Sequence, residues 1–107
     1  MQEAAEQGPV DAGRAVFGIS VAAELSGVAV QSLRLYETRG LLEPDRTTGG
    51  TRRYSSQDVH RARRINQLLD DGLNLTGIAA VLALEAENAA LRMEIDGLRR
   101  RLRRPRR

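Results

Sequence analysis

Gly27 and Gly40 are the two residues that most constrain how this chain folds. Glycine ends helices readily, because it adopts positive φ at no steric cost. The segments that these glycines close, ISVAAELS and VAVQSLRLYETR, predict two short helices joined by a tight turn, with Ser20 as the N-cap of the first. Leu33 is spaced to pack the second helix back onto the first, as in a helix-turn-helix.

The second of these helices is amphipathic. At about 100° per residue, Leu33 and Tyr36 share one face, and the opposite face carries side chains of the kind that contact base edges and phosphates. That outer face holds Gln31, Arg34, Leu35 and Thr38. An ordinary solvated helix face has a similar composition, so both interpretations stay open at this point.

A glycine-rich stretch, LLEPDRTTGGTRRYS, follows Gly40 and predicts a β-hairpin with TTGG at its tip. Arg46, Arg52 and Arg53 flank that tip and would project from the hairpin as guanidinium groups. A nucleotide-binding P-loop is the alternative for glycine-rich sequence, but its Lys-Ser/Thr ending is absent. A hairpin with merely solubilising arginines is the other alternative.

Two further helices follow the hairpin. Ser55 and Asp58 have the spacing of a capping box and open a third helix that stops near Gly72. Asn74 then caps a fourth helix. The predicted apolar face of the third helix consists of Val59, Ala62, Ile65, Leu68 and Leu69.

The C-terminal part of the fourth helix carries a heptad repeat. Its a positions are Val81, Asn88, Ile95 and Leu102, and its d positions are Leu84, Leu91 and Leu98. Three heptads predict a short coiled coil that pairs two copies of the chain, with packing inside one chain as the alternative. A polar a position at Asn88 suits a parallel pair, whereas the acidic start and basic end of the segment suit an antiparallel one.

Charge indicates the kind of partner. All 17 basic residues are arginine, the net charge is +3 and the isoelectric point is near 10.5. Between Arg34 and Arg64 lie eight arginines against four acids, and Arg99 to Arg107 holds seven arginines and no acid. Arginine presents a planar fork of donors suited to phosphate, which favours a polyanionic partner. Arginine-only usage is also typical of a GC-rich genome.

Several classes of protein lack support in the sequence. There is no cysteine for a disulfide or a thiolate metal site, and we interpret the single histidine, His60, as a helix-surface residue. No cofactor motif and no catalytic constellation is present, so we expect neither a cofactor, nor a metal, nor enzyme activity. The longest apolar run, Ile78 to Leu84, is too short to span a membrane, and we expect a cytoplasmic protein.

These patterns predict a mainly α fold with four parts. Residues 1–16 form a flexible lead-in, residues 17–80 a winged helix-turn-helix DNA-binding domain with a small β-hairpin wing, residues 81–102 a C-terminal coiled-coil dimerisation helix, and residues 103–107 a basic tail. The six positions predicted to form the dimer contact are Leu84, Asn88, Leu91, Ile95, Leu98 and Leu102.

The stretch ISVAAELSGVAVQSLRLYETRGLLEPDRTTGGTRRYSSQDV closely resembles the DNA-binding domain of MerR-type regulators. Their pattern is a helix-turn-helix, arginine-any-tyrosine-acid, glycine-leucine-leucine, any-proline-any-arginine, and a glycine-arginine wing that ends in tyrosine. The matching positions are Arg34, Tyr36, Glu37, Gly40, Leu41, Leu42, Pro44, Arg46, Gly50, Arg52 and Tyr54. SVAAELSG, the Gly-Gly wing and DDGLNLTGI are most similar to the heat-shock repressor (HspR) subgroup. The resemblance covers residues 17 to 84, and Thr51 departs from it where the wider family has a wing tyrosine.

The resemblance implies a homodimeric regulator, paired through antiparallel helices, that binds an inverted-repeat operator in double-stranded DNA. The recognition helix, about Val30 to Arg39, would enter the major groove, with Gln31 and Arg34 near base edges or their phosphates and Leu35 available to a thymine methyl. The side chains expected at phosphate and sugar are Ser32, Tyr36, Arg46, Arg52 and Arg53. Similarity to the heat-shock subgroup further implies repression, with a chaperone or another protein as co-regulator.

Two other functions fit parts of the pattern. An interaction adaptor would use the coiled coil to recruit a protein and the arginines for solubility alone. A sequence-neutral architectural or RNA-binding protein would use the arginines for phosphate without reading bases. Salt dependence separates the first from DNA binding, because phosphate contacts make log affinity fall by about 0.9 per contact with log salt. A preference for one operator sequence separates a sequence-specific regulator from the sequence-neutral protein.

Overall fold

The computed structural model describes residues 13–105, so the lead-in predicted for residues 1–16 falls mostly outside it, as does the end of the basic tail. The described chain is mainly helical with one small sheet, which confirms the predicted fold class. In chain order the elements are β1 Ala15–Phe17, α1 Ile19–Ser26, α2 Val30–Thr38, β2 Asp45–Arg46, β3 Arg52–Ser55, α3 Ser56–Asp70 and α4 Leu75–Leu102.

The turn between α1 and α2 forms where the glycine predicts it. Gly27 is the C-cap of α1 with φ 72°, and its N–H donates to the carbonyl of Ala23 at 2.9 Å. The start of α1 differs from expectation, because its N-cap is Gly18 and Ser20 lies inside the helix. Ser20 is exposed there, and the N-cap makes no side-chain hydrogen bond. The prediction of Ser20 as N-cap was wrong.

The second glycine ends α2 and turns the chain back into the core. Gly40 has φ 75°, and the N–H groups of Leu41 and Leu42 both donate to the carbonyl of Tyr36, at 2.8 and 3.3 Å. This turn is the αL ending that glycine permits at low cost. As a result, Leu41 and Leu42 are both buried directly after the helix.

The sheet has three antiparallel strands in the order β1-β3-β2. β2 and β3 form the predicted hairpin, with Asp45 opposite Arg53 and Arg46 opposite Arg52. The third strand, β1, was not predicted, and it pairs Phe17 with Tyr54. Ala15 and Val16, expected in the flexible lead-in, therefore belong to the sheet.

The capping box predicted for α3 is present and complete. Asp58 N–H donates to Ser55 Oγ at 3.0 Å, and Ser55 N–H donates to Asp58 Oδ2 at 2.9 Å. α3 contributes four buried residues to the core of the unit that ends at Gly72, and Leu69 is only half-buried. That core consists of Ala22, Val28, Leu33, Tyr36, Leu41, Leu42, Tyr54, Val59, Ala62, Ile65 and Leu68.

The second compact unit begins at Leu73, just before α4. α4 has 28 residues, or roughly 42 Å at 1.5 Å per residue. Asn74 caps it as predicted, accepting from the Gly77 N–H at 2.7 Å. Only Ile78 and Leu82 of this helix are buried. In the part of the chain that the structure describes, no helix is long and apolar enough to cross a membrane.

Candidate nucleic-acid interface

The outer face of α2 is open, as its periodicity predicts. Gln31, Arg34 and Leu35 are exposed, and Ser32 is half-buried beside them. Leu35 is 43% exposed. Leu33 packs on the opposite side with 1% exposed. The predicted base-contacting residues therefore share one accessible face.

Tyr36 does not belong to that face. It is 1% exposed, and its hydroxyl donates to Asn66 Oδ1 on α3 at 3.3 Å. Burial, followed by the nearby charge of Asp70, raises the pKa of its hydroxyl. The predicted phosphate or sugar contact from Tyr36 is corrected accordingly: its position on the Leu33 side of the helix makes it a core residue that joins α2 to α3.

The wing is the hairpin formed by β2, β3 and the connecting residues 47–51. Its turn is closed by main-chain bonds from Thr47 N–H to the Thr51 carbonyl and from Gly50 N–H to the Thr47 carbonyl, both at 2.8 Å. Thr47 Oγ1 also accepts from the Thr51 N–H at 3.2 Å. Gly50 has φ 88°. A residue without a Cβ adopts this conformation at low cost, so glycine suits this position of the turn.

Glu37, the only acid on α2, holds the wing against that helix. Its Oε2 accepts from Arg46 Nη2 at 2.8 Å, and its Oε1 accepts from Arg52 Nε. Burial by itself raises the pKa of this carboxyl, but the hydrogen bonds and charges of Arg52 and Arg46 outweigh burial and leave the pKa lowered. Two arginines expected to contact phosphate thus have an internal partner, Glu37, which the sequence pattern did not predict as a site residue.

Three other arginines of this surface are less constrained. Arg34 and Arg39 are exposed, and neither forms an ion pair with another described residue. Arg53 is half-buried, and its Nη1 donates only to the neighbouring carbonyl of Arg52, at 3.4 Å. These guanidinium groups are free to take phosphate oxygens as partners, since each carries donors that the protein leaves unused.

Part of the local arginine excess is structural. Arg61 Nε on α3 donates to the carbonyl of Leu41 at 2.6 Å, and Arg63 Nη2 donates to the carbonyl of Leu25. Both bonds satisfy carbonyls at or near the ends of other segments, which lack helical partners of their own. These two arginines connect α3 to its neighbours, and the sequence pattern could not distinguish them from ligand-binding arginines.

Tyr54, on strand β3 of the wing, has its side chain inside the protein. It is 1% exposed, and its hydroxyl oxygen has no hydrogen-bond partner among the described residues. Burial is the main cause that raises the pKa of this hydroxyl; Arg52 opposes the shift, and Glu37 adds to it. Tyr54 therefore anchors β3 in the core.

An exposed second helix after a tight glycine turn, with an arginine-bearing hairpin fixed beside it, defines a winged helix-turn-helix protein. In the described part of the chain, no group of three His, Cys, Asp or Glu side chains lies close enough to hold a metal ion. Residues 17–85 match the family model described as MerR HTH family regulatory protein. Because that match spans more than half of the chain, the protein belongs to the MerR family.

Relatives and solved structures agree with this assignment. The chain is 49% identical over 77 residues to a heat shock protein HspR of Streptomyces coelicolor, covering 71% of this chain and 51% of that protein. It is 37% identical over 70 residues to the transcriptional regulator GlnR of Bacillus cereus, covering 65% and 54%. The chain thus spans about half the length of these relatives.

Among solved structures, HiNmlR, a MerR family regulator that lacks the sensor domain and was crystallised with promoter DNA, is similar in fold. Its TM-score is 0.57, its sequence identity is 24%, and the alignment covers 80% of this chain and 77% of that one. At this identity the likeness shows a shared fold. The MerR family inferred from sequence is therefore confirmed, and the identity to HspR agrees with the similarity to the heat-shock subgroup.

Proposed function

We propose that this protein is a sequence-specific transcriptional regulator that binds an inverted-repeat operator as a homodimer. The observation that carries the proposal is the shared open face of Gln31, Arg34 and Leu35 on α2, with the arginine-bearing wing fixed at the end of the same helix. Glutamine and arginine recognise adenine and guanine edges in the major groove, and an aliphatic side chain contacts the thymine methyl.

Each α2 enters a major groove in this account, and the wing lies along the adjacent backbone. Ser32, Arg46, Arg52 and Arg53 supply phosphate and sugar contacts, which fix register without reading sequence. Membership in the MerR family and similarity to the transcriptional regulator GlnR support DNA as the partner. The similarity to HspR leads us to propose repression, with a chaperone or another protein as co-regulator, acting on the chromosome in the cytoplasm.

Pairing of α4 with the same helix of a second copy supplies a second recognition helix, one for each half-site of the operator. Among the predicted dimer positions, Leu84, Leu91, Ile95, Leu98 and Leu102 are each at least 45% exposed in the single chain. Asn88 is exposed on the same stripe. Apolar side chains repeated at heptad spacing with no cover are what a helix partner would bury. Two identical subunits related by a two-fold axis would read a palindromic site, which is why we propose an inverted-repeat operator.

Two alanine variants test the assignment of roles. Gln31→Ala should weaken operator binding and relax base preference at one position of each half-site, by about 1–3 kcal/mol. Arg53→Ala should weaken binding to all DNA alike and reduce the slope of log affinity against log salt. Both are measured by fluorescence anisotropy on operator and scrambled duplexes. Equal losses on both duplexes for Gln31→Ala would contradict base reading by Gln31.

A further inference from the structure

We propose that Glu37 is a positioning residue for DNA recognition: one carboxylate locks the wing to the recognition helix and thereby sets operator specificity. This inference rests on the proposed function and adds a role to a residue that does not itself contact DNA. An acid within a basic surface would normally oppose phosphate binding, so its presence there calls for a compensating role.

The geometry uses both carboxylate oxygens. Oε2 holds Arg46, which lies on β2 before the turn of the wing, and Oε1 holds Arg52, which lies on β3 after it. One attachment on each strand restrains rotation of the hairpin as well as its distance from α2. We call this set of three side chains, Glu37, Arg46 and Arg52, the Glu37 clamp.

The clamp reaches the tip of the wing. Arg46 Nη1 donates to the carbonyl of Gly50 at 2.9 Å while its Nη2 is held by Glu37. A single guanidinium therefore joins the carboxylate on α2 to the residue with positive φ in the turn. Because the Thr47 and Thr51 main chains are bonded to each other, restraint at Gly50 extends to the whole tip.

Held arginines can still bind phosphate. Each guanidinium has five N–H donors, and the clamp occupies only some of them. The side chains of Arg46 and Arg52 are 48% and 29% exposed, whereas that of Glu37 is 20% exposed. The carboxylate thus lies behind the arginines and fixes where they point before DNA arrives, which lowers the ordering cost of binding.

For removal of the Glu37 charge, the clamp predicts a change in operator affinity opposite in sign to the change that simple electrostatics predicts. Removing a negative charge from a DNA-binding surface should strengthen binding to every duplex, because repulsion of phosphate is reduced. Loss of the clamp should instead weaken binding to the operator, where α2 and the wing must fit together. Binding to non-specific duplexes requires no such fit, so the affinity for them should depend on the charge alone.

The test compares Glu37→Gln with Glu43→Gln in the full-length protein. Glu43 is an exposed acid of the same unit, and it makes no side-chain bond within the described chain. Affinities are measured on operator and scrambled duplexes at several salt concentrations. We expect Glu37→Gln to lower operator affinity about tenfold and to leave scrambled binding equal or tighter, with Glu43→Gln changing both duplexes alike. Tighter binding of Glu37→Gln to both duplexes would overturn the proposal.

A second measurement needs no DNA. Hydrogen exchange of the Thr51 and Gly50 amides, both bonded within the turn, should accelerate in Glu37→Gln and stay unchanged in Glu43→Gln. Unchanged exchange in Glu37→Gln would overturn the clamp even if operator binding fell. If the unmodified protein preferred no operator, the proposed function would fail, and this exchange measurement would still decide whether Glu37 restrains the wing.

Discussion

At the residue scale, the two tyrosines show what periodicity can and cannot assign. The helical wheel places Tyr36 on the Leu33 side of α2, and the structure buries it there with a partner on α3. The family motif suggested a phosphate contact for the same residue, but a motif match carries no information about which side of the helix is covered. The burial of Tyr54 depends on β1, α1 and α3 meeting β3, which no local pattern encodes.

Removing the two tyrosine hydroxyls should have different effects on stability. Tyr36→Phe loses the bond to Asn66 and should cost about 0.5–1.5 kcal/mol of unfolding free energy. Tyr54→Phe removes a buried hydroxyl that has no partner among the described residues, so it should be neutral or stabilising. Urea denaturation followed by circular dichroism measures both. A clear loss of stability in Tyr54→Phe would contradict the absence of a hydrogen-bond partner for its hydroxyl among the described residues.

The lowered pKa of Glu37 predicts a pH dependence. A carboxyl whose folded pKa lies below its unfolded value stabilises the protein above the unfolded pKa and loses that contribution as pH falls through the folded one. Wild type should therefore unfold at a higher temperature than Glu37→Gln at neutral pH, and the gap should close in acid. Thermal melts at stepped pH values test this. A gap that stayed constant into acid would argue against ionised Glu37 as its source.

At the element scale, features fixed by neighbours in sequence were predictable. The turn glycines, the Ser55–Asp58 capping box and the Asn74 cap depend on contacts within a few residues, and all three are present. The start of α1 shows the limit of this reasoning, since Gly18 takes the cap although Ser20 has the better side chain for it. β1 was missed because its partner strand lies far along the chain.

Adjacent serines offer a matched test of the α3 cap. Ser55→Ala removes the hydroxyl that accepts from Asp58 N–H and should cost about 1 kcal/mol of unfolding free energy. Ser56 is the first residue of α3 itself, outside the capping box, so Ser56→Ala should change stability little. Chemical denaturation of the two variants in parallel gives the comparison. Similar losses in both would mean that the cap contributes little.

At the scale of the whole molecule, the heptad repeat predicted an apolar stripe on α4, and the exposed side chains lie at those positions. Periodicity identifies such a stripe because it depends on one helix alone. The helix proposed to cover it would belong to another molecule, so neither the repeat nor a single chain fixes its orientation. The charge pattern has the same limit. The arginine-rich composition indicated a polyanionic partner, but only the fold shows that Arg61 and Arg63 bond main-chain carbonyls while Arg34 is exposed.

Two substitutions on α4 test pairing through the stripe. Leu91→Asp places a charge at a heptad d position that is 52% exposed in the single chain, and it should convert a dimer into a monomer at about 10 µM. Met93→Asp adds the same charge at an f position that is 74% exposed, and it should leave the dimer intact. Sedimentation velocity measures the mass. A monomeric wild type, or a dimeric Leu91→Asp, would contradict the proposed interface.

The most direct test of the central claim is selection of bound sequences from random duplex DNA by the purified full-length protein at physiological salt. We expect enrichment of an inverted repeat with half-sites about one helical turn apart, since two α2 helices related by a two-fold axis would read adjacent major grooves. Salt-sensitive binding with no enriched sequence would contradict sequence-specific recognition and favour an architectural role. Absence of binding would contradict DNA as the partner.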